Sequence, residues 1–224
     1  EFRERLQESM ESFQRDLRIE NAFIQASLCV RKHIDSASLF QPGTIADVEV
    51  ARTIGEIEES GVSQRILEKF DQNPSLASLV CVECIKRLSF QVFPADDFVR
   101  LACAVEESSS GTKAERREIL SEILLNVDEE QVRGRRLLGN LICLLQSVAR
   151  RDPNRLQKAK LLSGWFAPFI LPPHLLQLFQ SGEAAARARV AEDAVAVLVA
   201  LVADARRLFR AHPASPLECS AAAP

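Results

Sequence analysis

The chain has 224 residues, 47% of them hydrophobic and 26% charged, with a net charge of −3. That is long enough to bury a sizeable core, and the net charge is too small to draw the molecule to nucleic acid or anionic lipid by its field. Glycine is scarce, tyrosine is absent and β-branched runs are short, which argues against a sheet-rich fold and for helices.

Residues 1–20 place Phe2, Leu6, Met10, Phe13 and Leu17 three or four apart among Glu, Arg and Gln. This is one apolar stripe, close to a heptad seam. It predicts an amphipathic helix that either packs on the rest of the chain or ends an upstream coiled coil and mediates self-association. The opening EFRERL lacks a methionine, which points to a piece of a longer protein.

A second helix is predicted over 21–35, burying Phe23, Ile24, Leu28 and Ile34. SASLFQPGTIADVE then reads as a loop, 45–58 as a helix, and ESG at 59–61 as a turn. A short helix over 63–71 is ended by QNP, and an apolar helix follows over 75–88. Pro94 with the ADD after it opens another helix, and EESSSGTKAE is an exposed loop. Further helices are expected at 114–126, 128–150, 153–167 and 184–211, before a disordered tail over 212–224. The fold class is therefore all-α, with roughly nine helices. Leu79, Ile85, Phe98, Leu141, Leu144, Phe166, Leu198 and Leu201 are expected to share one core. The longest apolar run, Ala194 to Ala203, is about half of the ~20 residues a membrane span needs and reads as a core helix.

Chemistry-bearing motifs are few. Six cysteines, at 29, 81, 84, 103, 143 and 219, lie in apolar surroundings with no repeating spacing, as reduced buried thiols of a cytoplasmic protein would. Cys81 and Cys84 form a lone C-x-x-C without a second pair, so a buried helical pair is expected rather than zinc. Histidines 33, 174 and 212 are far apart, and none has a metal-ligand partner at i+3 or i+4. No Walker A, G-x-S-x-G or G-x-G-x-x-G is present. Arg133, Arg135, Arg136, Arg150, Arg151 and Arg155 lack interleaved aromatics, which argues against nucleic acid. No catalytic residue, metal or cofactor of the chain's own is expected.

One uncharged, proline-interrupted run, LLSGWFAPFILPP over Leu161–Pro173, follows the basic ARRDPNRLQKAK. Residues 144–173, LLQSVARRDPNRLQKAKLLSGWFAPFILPP, resemble the signature stretch of the Rho GTPase-activating protein (RhoGAP) family. Its pattern N-K-M-x-x-x-N-L-A-x-V-F-G-P-N-L-L is met by Asn154, Leu156, Leu162, Phe166, Pro168, Ile170 and Leu171. SLASLVCVECIKRLSFQVFPADDFVRL resembles the family's V-A-S-L-L-K-x-Y-L-R-E-L-P-E-P-L-I-P stretch, and AVLVALVADARRLF its closing helix. ARTIGEIEESGVSQRILEKFD resembles G-L-x-T-E-G-I-F-R-V-S-G with the helix after it. The four matches run in the family's order over residues 21–211, and the resemblance implies its helical bundle.

The resemblance also implies a use for the apolar run. It would end a core helix at the proline and turn across the face that meets the GTPase, with Leu161, Leu162, Phe166 and Ile170 as core. A family member accelerates GTP hydrolysis with an arginine finger, worth ~10³ to 10⁵ in rate. Alignment through Gly55, Ser60 and Gly61 puts Glu58 at the finger. The family's lysine falls on Cys81 or Val82, and its asparagine on Phe169. The E-L-P-E-P loop is reduced to RLSFQ.

The implied protein is a RhoGAP-like module without GAP activity and not an enzyme, binding a protein partner such as a small GTPase within a larger cytoskeletal or signalling protein. Arg52, Arg65, Lys86, Arg87, Trp165 and Phe169 are the candidates for the partner face. The alternatives are an active GAP with a displaced arginine, Arg52 or Arg65 being nearest, and a structural helical domain assembling through residues 1–20.

Overall fold

The computed structural model describes residues 2–36, 39–41, 43, 45–88, 95–107, 114, 117–118, 120–121 and 132–208. Among them are nine helices and no strand: α1 Phe2–Lys32, α2 Asp47–Ser60, α3 Gln64–Gln72, α4 Pro74–Arg87, α5 Ala95–Glu107, α6 Val132–Arg151, α7 Arg155–Ile170, α8 Pro173–Ser181 and α9 Ala184–Leu208. The expected all-α class is observed. The chain divides into two compact units, residues 1–90 and 91–224.

In the first unit α1 is one helix where the sequence predicted two. Nothing between Leu17 and Phe23 breaks a helix: the stretch holds no Gly or Pro, and Arg18, Ile19, Glu20 and Ala22 all continue one. The change that does occur near Asp16 is in burial. Ile19, Ala22, Phe23, Ala26 and Val30 are buried at three- and four-residue spacing, and α1 packs on α2, α3 and α4 along this face. Leu6, Met10, Phe13 and Leu17 remain exposed. Leu28, expected inside, is 51% exposed because it lies two residues from both Ala26 and Val30, on the opposite side of the helix.

Local chemistry sets the other boundaries of this unit. Gly61 ends α2 at φ 76°, a conformation disfavoured for L side chains, and its N–H donates to Ile57 O at 2.8 Å. The Ser63 side chain accepts the Ile66 N–H to open α3. Asn73 ends α3, and its Oδ1 accepts the Leu76 N–H at 3.2 Å to start α4, with Pro74 in the first turn. Between α1 and α2 the chain is anchored by buried Leu39 and Phe40. Phe40 has φ 56° and donates its N–H to the Ser78 hydroxyl at 3.0 Å, which helps hold this disfavoured geometry.

The second unit is organised around α9, which packs on α5, α6, α7 and α8. Phe98, Leu141, Leu144, Phe166, Leu198 and Leu201 are all buried there. Of the other two residues expected in the core, both in the first unit, Ile85 is buried and Leu79 is only half-buried. Gln146 Nε2 braces α6 to α9 by donating to Val202 O at 2.8 Å. Arg117 pairs with the buried Asp204 carboxylate.

The apolar run departs from expectation in three ways. Leu162, Phe166 and Ile170 are core, but Leu161 is 59% exposed, two residues from buried Ala159 and Ser163 and so on the far side of α7. Helix α7 also runs through Pro168 to Ile170 instead of ending there. The carbonyl that Pro168 deprives of a partner belongs to Gly164, which is exposed, so water can take the place of the missing N–H. The helix stops before the Pro172–Pro173 pair, and Pro173 then opens α8, an element the sequence reading lacked. The stretch 114–126 is described only in isolated helical residues, and the tail over 212–224 lies outside the described residues.

Candidate functional site

In the first unit, three helices bring charged side chains together at the C-terminal end of α2. Glu58 lies in the last turn of that helix, and its Oε2 accepts from Arg87 Nη1 of α4 at 3.0 Å. Arg18 of α1 inserts its Nη1 between two backbone carbonyls, donating to Glu58 O at 2.7 Å and Glu59 O at 2.8 Å. These are among the last carbonyls of α2, which no further turn of helix can satisfy. A guanidinium there answers both their lone pairs and the negative end of the helix dipole.

Two residues earlier on the same helix, Glu56 gathers a second set of cations. Lys69 Nζ of α3 lies 3.2 Å from Oε2, and Arg52 Nε of α2 lies 3.5 Å from Oε1. The Lys69 ammonium holds the Glu56 carboxyl below its usual range, with Arg65 and Arg52 acting in the same direction. Arg65 is exposed on α3, and Lys86 is engaged by Glu83 within α4.

The first unit therefore brings together Glu58 and Arg87, while Arg52 lies one helical turn from Glu56. Cys81 and Val82 are buried inside α4, so neither presents a group to a partner. Trp165 is half-buried on α7 in the second unit. The Phe169 side chain and residues 89–94, which include most of the RLSFQ loop, lie outside the described residues. The second unit carries its own groove of about 640 Å³, lined by Val105, Leu156, Val195 and Val199 with Lys160 and Glu192.

The cysteines differ from one another. Cys29, Cys81 and Cys84 are buried, but Cys143 is half-buried and Cys103 exposed, against the expectation of uniformly buried thiols. Cys103 lies on α5 on the side away from buried Phe98 and Leu101. Burial pushes the Cys81 thiol up to about 12 and Cys84 well above its ordinary 9.0, so both are protonated at neutral pH.

The structure also supplies a cluster that sequence reasoning missed. Cys29, His33 and Asp71 present Sγ, Nε2 and a carboxylate oxygen all within 4.8 Å of one another. Half of it is legible in the sequence, where Cys29 stands four residues before His33. Asp71 belongs to another helix and carries no signal in the sequence.

No protein-family model matches the chain, and no curated protein matches it in sequence. Among the described residues, no helix is long and apolar enough to cross a membrane.

Proposed function

We propose that the chain is a RhoGAP-like protein-binding module without the arginine finger, acting through the charged face of its first unit. The four motifs in family order support the reading, and the charge at Glu58 carries it. A carboxylate, paired at 3.0 Å with Arg87, stands where the alignment asks for a guanidinium. Beside phosphate oxygens a carboxylate repels the charge that a finger would stabilise. Arg52 and Arg65, exposed on α2 and α3, are the cations this face offers to an acidic partner surface. The test is binding of Rho-, Rac- and Cdc42-type GTPases, loaded with a non-hydrolysable GTP analogue, to the whole chain. Measurable binding that Arg52→Glu with Arg65→Glu abolishes supports the reading; no binding to any of the three removes the small GTPase as its partner.

A second reading is favoured by the stripe on α1. Leu6, Met10, Phe13 and Leu17 are 52%, 55%, 52% and 42% exposed and alternate by four, three and four residues, as core positions of a two-helix seam do. In this reading the domain assembles through α1. Leu6→Glu with Met10→Glu leaves the buried half of the helix intact, and the molar mass by light scattering reports the outcome. A mass that drops in the variant supports assembly; the same monomeric mass in both proteins excludes it.

A further inference from the structure

The C-terminal turn of α1 and the C-terminal turn of α3 meet in the first unit, and what they bring together has the composition of a metal site. Cys29 lies on the inner side of α1, only 8% exposed. His33 follows one turn later, fixed by its N–H donating to Cys29 O at 3.0 Å, so thiol and imidazole project in the same direction. Asp71, in the last turn of α3, faces both. Its Oδ1 lies 3.9 Å from Cys29 Sγ, 3.4 Å from His33 Nε2 and 2.8 Å from Lys32 Nζ.

We propose that Cys29, His33 and Asp71 bind a divalent transition metal of the zinc class, with the fourth position open to solvent. The donors are one sulfur, one nitrogen and one oxygen, the mixed set that suits a borderline-soft cation better than magnesium or calcium. Bonds of about 2.3 Å to sulfur and 2.0 Å to nitrogen and oxygen give tetrahedral edges of roughly 3.3–3.6 Å. The histidine–aspartate spacing of 3.4 Å meets that value, and the cysteine–aspartate spacing of 3.9 Å needs a few tenths of an ångström of closure. Both helices direct the negative end of their dipoles at the site, which favours a cation.

Three donors and an exposed mouth make a three-ligand site with an open position, unlike a closed four-ligand structural site. The side chains of His33 and Asp71 are 32% and 51% exposed, so the metal has an entry path with the thiol at its floor. Binding replaces the hydrogens now directed at Asp71 Oδ1. The thiol loses its proton to solvent as the sulfur–metal bond forms, and the Lys32 ammonium, on a side chain 63% exposed, swings into water. This site is independent of the RhoGAP-like reading.

The experiment is a Co²⁺ titration of the whole chain under reducing, chelator-free conditions, followed by displacement with Zn²⁺. A thiolate-to-cobalt absorption saturating at one equivalent is expected, with d–d bands of tetrahedral intensity. Cys29→Ser should abolish the absorption, whereas Cys103→Ser, Cys143→Ser and Cys219→Ser should leave it. His33→Ala and Asp71→Asn, at positions exposed enough to leave helicity unchanged by circular dichroism, should each weaken binding by at least about tenfold. Lys32→Ala should strengthen it, since Asp71 Oδ1 is then freed of a competing cation. Absence of the absorption, its survival in Cys29→Ser, or its indifference to both His33→Ala and Asp71→Asn overturns the proposal.

Discussion

Arg87 Nη1 lies 3.0 Å from Glu58 Oε2, tying the last turn of α4 to the last turn of α2. This pair decides what a finger-restoring substitution would meet. Glu58→Arg sets two guanidinium groups side by side and anchors neither, and preorganisation is most of such a group's value. Single-turnover GTP hydrolysis with Rho-, Rac- and Cdc42-type GTPases is expected to show no acceleration by the wild type and only a small part of the ~10³ to 10⁵ effect from Glu58→Arg. Strong stimulation by the wild type would end the pseudo-GAP reading. Alanine substitution of Arg52 and of Arg65 would then identify the displaced finger.

Arg18 contributes to the same corner through the backbone. Arg18→Ala leaves the Glu58 and Glu59 carbonyls without their charged donor, and should cost about 1–2 kcal/mol of stability, the lower part of the range for charge-assisted bonds because the site is partly wet. Arg18→Lys should recover only part of it, since one ammonium does not reproduce the planar fork. Urea denaturation followed by helicity measures both. An alanine variant as stable as the wild type would show that water serves these carbonyls equally well.

The boundaries of α2, α3 and α4 were legible because local residues set them: Gly61 with its positive φ, Ser63 as an N-cap, and Asn73 before Pro74. The continuity of α1 was harder to see, since a change from exposed to buried stripe near Asp16 looks in sequence like the end of one helix and the start of another. Leu28 and Leu161 show the limit of apolar character as a guide to burial. Each is flanked by buried residues two positions away and therefore points outward. Pro168 misled for a related reason, as its cost depends on the exposure of Gly164 four residues back. Of the candidate site, the charges on α2 and α4 could be named in advance, but the pairing of Glu58 with Arg87 and the approach of Asp71 to Cys29 and His33 are tertiary facts.

Helix α7 carries two residues that weaken it. Ser163 is fully buried, and its hydroxyl is without a hydrogen-bond partner among the described residues. Gly164 is exposed in the helix interior, and a Cβ built on it would meet nothing within 4 Å. Ser163→Ala should therefore stabilise by about 1 kcal/mol through removal of an unsatisfied buried group. Gly164→Ala should add about 0.5–1 kcal/mol by reducing the freedom of the unfolded chain. Thermal unfolding of the two single variants and the double variant checks this. A destabilising Ser163→Ala would show that the hydroxyl has a partner after all.

The buried thiols make a prediction about pH. Cys29 is pushed up to about 11, by burial first and by the Asp71 carboxylate second, and Cys81 to about 12 by burial, each from an ordinary 9.0. A folded-state pKa above the unfolded one means that the stabilisation is fully present below pH 9 and is lost as pH rises toward 11–12, because the unfolded chain releases its protons first. A fully buried thiol such as Cys81 contributes a slope of up to about 1.4 kcal/mol per pH unit in that window. The chain has no tyrosine, so phenol ionisation does not obscure the effect. Lys32, raised by its hydrogen bond to Asp71, acts in the same direction, and comparison of the wild type with Cys81→Ala isolates the thiol. Losing the Cys81 contact with Ser27 Oγ, at 3.7 Å, lowers the variant's absolute stability at every pH, which makes the slope the informative quantity. Urea denaturation under reducing conditions between pH 7 and 11 should give a shallower alkaline decline for Cys81→Ala than for the wild type. Equal slopes would mean that the unfolded chain keeps this thiol as protonated as the folded one does, and that its burial contributes nothing to alkaline stability.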